Sequence, residues 1–476
     1  MCSIIGINGK NIQDKVFIML DTLNHRGPDG HGVYSDNRVF YNEDIKKMSG
    51  DSSFVLGHNL LSIIGNNESQ PLKSNNLVLV SNAELYNYKE LINQFNITIK
   101  TNSDCEVILK LIEYYYEEDN LKEAVLKTIT HLDGDYAFCV SDGNNYMVIR
   151  DEIGVKPVYY GFNRDYFAFA SEQKALKEIG LDEIYNLKPT EAIFNNEIIK
   201  IRKEKVRSDF FMDYDYAKDS LKKVIMNSVS KRTQNLDKVA LLFSAGVDST
   251  LIAVLLKQLG IDVTLYTIGT ENSQDLKFAI KTASEIGIPI KTKVINKVDV
   301  ENAFETVINT IEDTNLMKIG VGMTIYLTSK LAKEDNQKVI FSGQGADELF
   351  AGYNRYKNKF NTPLELIEEL DYDLNEMYEV NLERDDKATM ANSMELRVPY
   401  LDKDVIEVAM QMPIKFLLNS NSDNLRKHIL REVAYELGVP HNIAYRPKKA
   451  AQYGTGIDKI IRKKIIKQDY FKNLIN

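Results

Sequence analysis

The stretch Val239-Ala240-Leu241-Leu242-Phe243-Ser244-Ala245-Gly246-Val247-Asp248-Ser249-Thr250 decides the fold of the second half of the chain. A continuous apolar run ends in a turn of small residues, and a helical pattern over Ser249–Leu259 follows, stopping at Gly260. A short strand that is apolar on both faces needs cover on both faces, which a parallel sheet flanked by helices supplies. Working outward, Val263–Ile268 reads as a strand, a helical pattern runs through Ile286, and Thr292–Ile295 and Val339–Phe341 are further strands. Strand and helix alternating at this spacing predict βαβ units and an α/β parallel-sheet domain. From Pro363 onward the pattern is mostly helical. The basic tail Ile457–Asn476 reads as a terminal helix packing a stripe of Ile457, Ile460, Ile461 and Ile465.

The turn after Val239–Phe243 carries chemistry. Backbone N–H groups there, with a helix N-terminus behind them, form a cradle for an anion. Ser244, Ser249 and Thr250 add hydroxyl donors, and Asp248 beside a phosphate is placed to hold magnesium. The Gly-Lys-Ser/Thr ending of a Walker A loop is absent. A second turn, Ser342-Gly343-Gln344-Gly345-Ala346-Asp347-Glu348, also follows a buried strand. Open parallel sheets bind ligands at the carboxyl ends of their strands, so the two turns share one edge and Asp347 joins Asp248 around the metal. Tyr445-Arg446-Pro447-Lys448-Lys449, taken alone, is an exposed basic loop.

The first half reads differently. Ser3–Ile7, Val33–Tyr34, Phe54–Asn59, Leu77–Ser81, Ala137–Val140, Tyr146–Arg150, Tyr166–Ala170 and Ala192–Phe194 are short β-rich runs separated by Gly, Asn and Asp. Asp104–Tyr116 has helical spacing of its apolar residues. Antiparallel sheets layered with a few helices, an α+β domain, are the expectation. The charged, weakly periodic stretch Lys203–Asp219 marks the boundary, giving domains 1–205 and 206–476.

Cys2 directly follows Met1. If Met1 is removed, thiol and α-amine sit on one residue. The amine titrates near pH 8 and can take the thiol proton, so nucleophile and base need no histidine. The chain has 476 residues with a net charge of −9, which speaks against nucleic acid as a partner. No apolar run approaches the ~20 residues of a membrane helix, and no basic segment with an apolar core opens the chain as a signal peptide. The cysteines Cys2, Cys105 and Cys139 are sparse, odd in number and without metal-ligand spacing, which predicts a reducing compartment and a soluble cytoplasmic enzyme.

These residues carry a resemblance that spans nearly the whole chain. The second domain resembles the N-type ATP pyrophosphatases, and the first resembles the N-terminal-nucleophile glutamine amidotransferases. The combination is similar to the glutamine-hydrolysing asparagine synthetase family. Further matches are His25-Arg26-Gly27-Pro28-Asp29-Gly30, Ser81-Asn82-Ala83-Glu84, Ser103-Asp104, Ser393-Met394-Glu395-Leu396-Arg397-Val398-Pro399 and Lys427-His428-Ile429-Leu430-Arg431.

The resemblance implies ATP-dependent conversion of aspartate to asparagine through a β-aspartyl-adenylate, with ammonia cut from glutamine by Cys2. It assigns glutamine binding to Arg26, Gly27, Pro28, Asp29, Gly30, Glu84 and Asp104. Arg26 is to grip the α-carboxylate by paired hydrogen bonds, and the two acids are to hold the α-ammonium. Asn82 and the Ala83 N–H form the oxyanion hole. ATP is to lie against Leu242, Ser244, Gly246, Asp248, Ser249, Ile268, Ser342 and Gly343. Magnesium is to sit on Asp248 and Asp347, Lys448 is to stabilise the adenylation step, and Gln344 lies at the adenylate-forming site. Ammonia is to pass inside the protein, because bulk water would protonate it. The family's habit allows a homodimer, and no segment of the sequence marks an interface.

Four departures are visible. Ala83 and Ala245 replace glycines, Gln344 replaces a glutamate, and Lys318–Thr324 lacks the usual Arg- or Pro-containing sequence. They leave open a relative that amidates another carboxylate, or a non-catalytic scaffold.

Overall fold

In a computed structural model of the chain, the described residues are 2–47, 52–63, 69–208, 213–447 and 454–475. The chain divides into two compact units, Met1–Glu204 with Tyr378–Ser393, and Lys205–Met377 with Met394–Asn476.

Two antiparallel sheets build the first unit. One pairs Ser3–Gly9 with Phe54–Leu60 on one side and Tyr166–Ala170 on the other. The other is centred on Leu77–Leu85 and Gly134–Ser141. The period-two alternation of the strands sorts their side chains into layers. Ile4, Val78, Val80, Ala137, Cys139 and Phe169 meet between the sheets. Ile5 and Ile7 instead face the helix Gln13–Thr22. Leu77, Leu79, Phe138 and Val140 face the helices Asp104–Tyr116 and Leu121–Ile129. The result is helix, sheet, sheet, helix. Gly6 leaves room for the Phe169 ring opposite it in the same sheet, since a Cβ there would lie 2.2 Å from that ring.

The boundary expected from sequence assigns 206–476 wholly to the second domain. The structure differs, because Tyr378–Ser393 belongs to the first unit. Its charged run Glu383–Lys387 is buried there, with Glu383 and Asp386 held by ion pairs. Glu383 accepts from Arg150 at 3.2 Å and from the Tyr159 hydroxyl, and Asp386 pairs with Arg26 at 2.7 Å. The Ser393 hydroxyl donates to the main-chain oxygen of His25 at 2.7 Å.

The second unit holds a parallel sheet in the order Ile290–Val294, Asp262–Gly269, Lys238–Leu242, Val339–Phe341 and Glu395–Arg397. The last of these strands is absent from the sequence reading. The neighbouring strands Lys238–Leu242 and Val339–Phe341 bring their following turns together at the carboxyl edge. In the tail, Ile457, Ile460, Ile461 and Ile465 are all buried, as a packed isoleucine stripe requires. Among the described residues no helix is long and apolar enough to cross a membrane.

His58, paired with Ile4 in the first sheet, is fully buried. Burial pushes its pKa from 6.5 down to about 3, and the bond to the Ser81 oxygen at 3.1 Å only partly opposes this. Unfolded histidine takes up a proton below about pH 6.5, so the unfolded state binds more protons between that pH and the folded value. Stability therefore falls as pH drops through this window, by up to about 1.4 kcal/mol per pH unit from this group. Urea unfolding of wild type and His58→Asn across the window should give a shallower pH slope in the variant. Equal slopes would contradict the assignment.

Candidate functional site

Cys2 lies at the start of the strand Ser3–Gly9 and is 9% exposed. Its N–H donates to Asn82 Oδ1 at 3.0 Å. That bond occupies the oxygen of the Asn82 amide and leaves Nδ2 as a buried donor without a partner. An unsatisfied buried donor is costly, so an oxyanion forming beside Cys2 would find a donor already desolvated.

Ala83 offers a second N–H through strand parity. Tyr86 N–H donates to Asp133 O at 2.8 Å, which puts the even residues of Leu77–Leu85 in hydrogen-bonded register with Gly134–Ser141. The odd N–H groups face away from that partner. Ser81 N–H is taken by Gln70 Oε1 at 2.7 Å and Leu85 N–H by Asp104 Oδ2 at 2.6 Å. The Ala83 N–H between them is directed to the open side of the strand. Ala83 has extended, not left-handed, backbone, so the missing glycine costs nothing there.

Asp104, at the N-terminus of Asp104–Tyr116, binds the N–H of the residue after Glu84, so the two acids share one end of the strand. Gly27–Gly30 lies against Asn59–Ser62: a Cβ on Gly27 would be 2.4 Å from the Asn59 carbonyl carbon, Pro28 bridges Leu60, and Asp29 Oδ2 accepts from Ser62 N–H at 2.9 Å.

Arg26 departs from the expectation. It is fully buried, and Nη1 is taken by Glu172 and Asp386, both at 2.7 Å, while Nε donates to Cys2 O at 3.3 Å. Only Nη2 is without a partner. A guanidinium so engaged cannot give the paired grip on a substrate carboxylate, so Arg26 is here a structural charge beside the nucleophile.

In the second unit the turn after Lys238–Leu242 is built by Ala245, buried and left-handed at φ 53°. Gly246 has an ordinary φ of −76° and caps the helix Val247–Gln258. The Ser244 and Ser249 hydroxyls lie 3.2 Å apart, and Ser244 is exposed. The Thr250 hydroxyl is fully buried and has no hydrogen-bond partner. Ser342 Oγ accepts the Gln344 N–H at 3.3 Å. Gly343 closes on the first turn, since a Cβ there would be 3.1 Å from Asp248 Cβ. Leu242 is half-buried, while the Ile268 side chain is core at 1% exposure. Lys448 lies outside the described residues. Lys318–Thr324 is part of the helix Leu316–Glu334.

The structure does bring Asp248 and Asp347 together, but around a cation of its own. Lys427 Nζ lies 2.8 Å from Asp248 Oδ1 and 2.7 Å from Asp347 Oδ1. Lys427 lies in the motif Lys427-His428-Ile429-Leu430-Arg431, to which the resemblance gives no role. Its position one residue before a helix carried no signal that it would reach two distant acids.

A glutamine amidotransferase domain family matches residues 1–209, and the asparagine synthase family matches 220–372 and 358–468. The putative glutamine-hydrolysing asparagine synthetase 1 of Methanocaldococcus jannaschii is 40% identical, over 100% of this chain and 97% of the relative. The chain belongs to the glutamine-hydrolysing asparagine synthetase family. The synthetase of Mus musculus is 30% identical over 95% of this chain and 84% of its own. Among solved structures, glutamine phosphoribosylpyrophosphate amidotransferase from B. subtilis aligns with a TM-score of 0.39 and 22% identity, over 58% of this chain and 70% of that one.

The two alanines of this family member sit in opposite backbone conformations, and their glycine variants should differ. Ala83→Gly loosens a strand and costs about 0.5–1 kcal/mol. Ala245→Gly relieves about 1–2 kcal/mol of left-handed strain. It loses about 0.8 kcal/mol of methyl burial and about 0.4–1 kcal/mol through the freer unfolded chain, for a net change near zero. Thermal melts should show a lower midpoint for the first variant only. An equal drop in both would refute the contrast.

Proposed function

We propose that the chain makes asparagine from aspartate, ATP and ammonia cut from glutamine, releasing AMP, pyrophosphate and glutamate. The observation that carries this reading is the pairing of Cys2 with Asn82, with Nδ2 left to donate. Full-length likeness to proteins named for asparagine supports aspartate, rather than another carboxylate, as acceptor.

The Cys2 thiolate attacks the side-chain amide carbon of glutamine. Asn82 Nδ2 and the Ala83 N–H hold the oxyanion, the Cys2 α-ammonium passes the proton it took from the thiol to the leaving nitrogen so that ammonia departs, and water cleaves the thioester to glutamate and the free thiol. Glu84 and Asp104 hold the α-ammonium. In the second unit, the turn with Ser244, Gly246 and Ser249 and the turn with Ser342 and Gly343 bind ATP. A β-carboxylate oxygen of aspartate attacks the α-phosphorus and pyrophosphate departs. Ammonia then attacks the acyl carbon and AMP departs.

Gln344 is neutral and orients aspartate by hydrogen bonds. Lys448 balances charge during adenylation. Two acids that converge on one cation suit magnesium, and Asp248 and Asp347 would hold it. Among the described residues no group of three or more His, Cys, Asp or Glu gathers for a metal, so the remaining ligands would come from phosphate and water. Magnesium supplies charge neutralisation at the phosphates. The reading places the enzyme in the cytoplasm, acting on small molecules without nucleic acid or membrane, and a homodimer accords with it.

Mass spectrometry of products with aspartate as acceptor should show asparagine, AMP and pyrophosphate, and absence of AMP or asparagine would refute the reading. Cys2→Ala should lose glutamine use and keep ammonia use. Asn82→Ala, with a donor gone, should lower glutamine hydrolysis by about 10²–10³. Undiminished hydrolysis there would exclude the Asn82 donor.

A further inference from the structure

The carboxylates expected to hold magnesium already share a cation. Lys427 is 1% exposed, and its ammonium bridges Asp248 at 2.8 Å and Asp347 at 2.7 Å. Those acids stand in the first turns of two helices, Val247–Gln258 and Ala346–Leu349, which follow neighbouring strands of the parallel sheet.

The arrangement is built for this contact. Arg426 and Lys427 are both left-handed at φ 55°, a conformation their side chains disfavour. The surroundings impose it. Asp423 Oδ1 accepts the N–H of Leu425 at 2.8 Å and of Arg426 at 3.0 Å. Arg431 donates to the oxygens of Arg426 and Leu425, both at 2.6 Å. Gly352 makes the space, since a Cβ there would be 1.9 Å from Asp347 Oδ1 and 2.1 Å from Lys427 Cε.

Two carboxylates facing one another repel unless a positive charge lies between them. A magnesium ion bonds its oxygens at about 2.0–2.1 Å. It cannot share that position with an ammonium, whose flexible stem permits it to leave. We infer that Lys427 is a resident counter-cation, holding Asp248 and Asp347 together in the nucleotide-free enzyme and giving way to the metal–nucleotide complex. Its released charge then faces the nucleotide phosphates. This inference rests on the magnesium and ATP reading given above.

Mn²⁺ binding followed by electron paramagnetic resonance tests it on the full chain, with and without a non-hydrolysable ATP analogue, and Asp347→Asn identifies the site. Wild type alone should bind Mn²⁺ weakly there, and bind it tightly with the analogue. Lys427→Met should bind Mn²⁺ without nucleotide about tenfold more tightly than wild type, because the competing cation is gone. Equal nucleotide-free affinity in the two proteins would overturn the inference. So would wild type binding Mn²⁺ as tightly alone as with the analogue, a comparison that needs no variant. Lys427→Gln repeats the test if the methionine variant does not fold. Absence of Mn²⁺ at the site even with the analogue would instead reject the magnesium reading, and the inference with it.

Discussion

The first unit depends on one buried charge. Arg26 cannot lose its proton at any ordinary pH, so its burial requires anions. Burial alone would lower its pKa, but Asp386 and Glu172 reverse this and hold it above the usual range. Burial likewise disfavours the Glu172 carboxylate, yet Lys174, His25 and Arg26 keep it well below the ordinary carboxylate range. Glu172 is near in sequence to the strand Tyr166–Ala170, but Asp386 is not. Satisfying Arg26 therefore draws a segment from far along the chain into the first unit. Arg150, also fully buried, repeats the logic with Glu383. Removing one partner of such a cluster leaves an uncompensated charge, which is why it is a constraint and not a decoration.

The same rule acts at the sheet edge of the second unit, with the signs exchanged. There the acids are fixed by their turns and a lysine is brought to them. Both places put strain or charge where local sequence preference would not. Ala245, Arg426 and Lys427 hold left-handed backbone at or beside the expected nucleotide site. In the first unit the nucleophile and its donors need no such strain, because a strand edge already alternates its N–H groups.

This contrast explains what could be read from the sequence. The helix Asp104–Tyr116 announces itself by the spacing of its apolar residues, and the strands Ser3–Gly9 and Val339–Phe341 by β-rich apolar runs, which are local properties. Arg38–Tyr41 and Leu72–Ser74 are short edge strands with too few residues for a pattern. Glu383-Arg384-Asp385-Asp386-Lys387 is the opposite case. Its composition is that of a solvated helix, yet every one of these side chains is buried. Arg384 pairs with its neighbour Asp385, but Glu383 and Asp386 are buried against Arg150 and Arg26, hundreds of positions away, so no window of sequence contains the outcome. The same holds for Arg26, whose motif marks the neighbourhood of Cys2 but not what its guanidinium faces. It holds again for Lys427.

In the proposed glutaminase chemistry, Asn82 would join two halves of the reaction in one side chain. Its oxygen is fixed by the nitrogen of Cys2, and only because that oxygen is occupied does Nδ2 stand ready as a donor. In a peptide that nitrogen has a hydrogen to give but no basic lone pair. As a free α-amine it has both, so it can hold Asn82 and accept the thiol proton together. Once protonated, it donates to Asn82 Oδ1 as a charged group, and a charge-assisted bond is the stronger one. Formation of the thiolate therefore tightens the amide orientation that the oxyanion needs next. On the proposed reading, activation of the nucleophile and preparation of the oxyanion hole would be one event, transmitted through the hydrogen bond between Cys2 and Asn82.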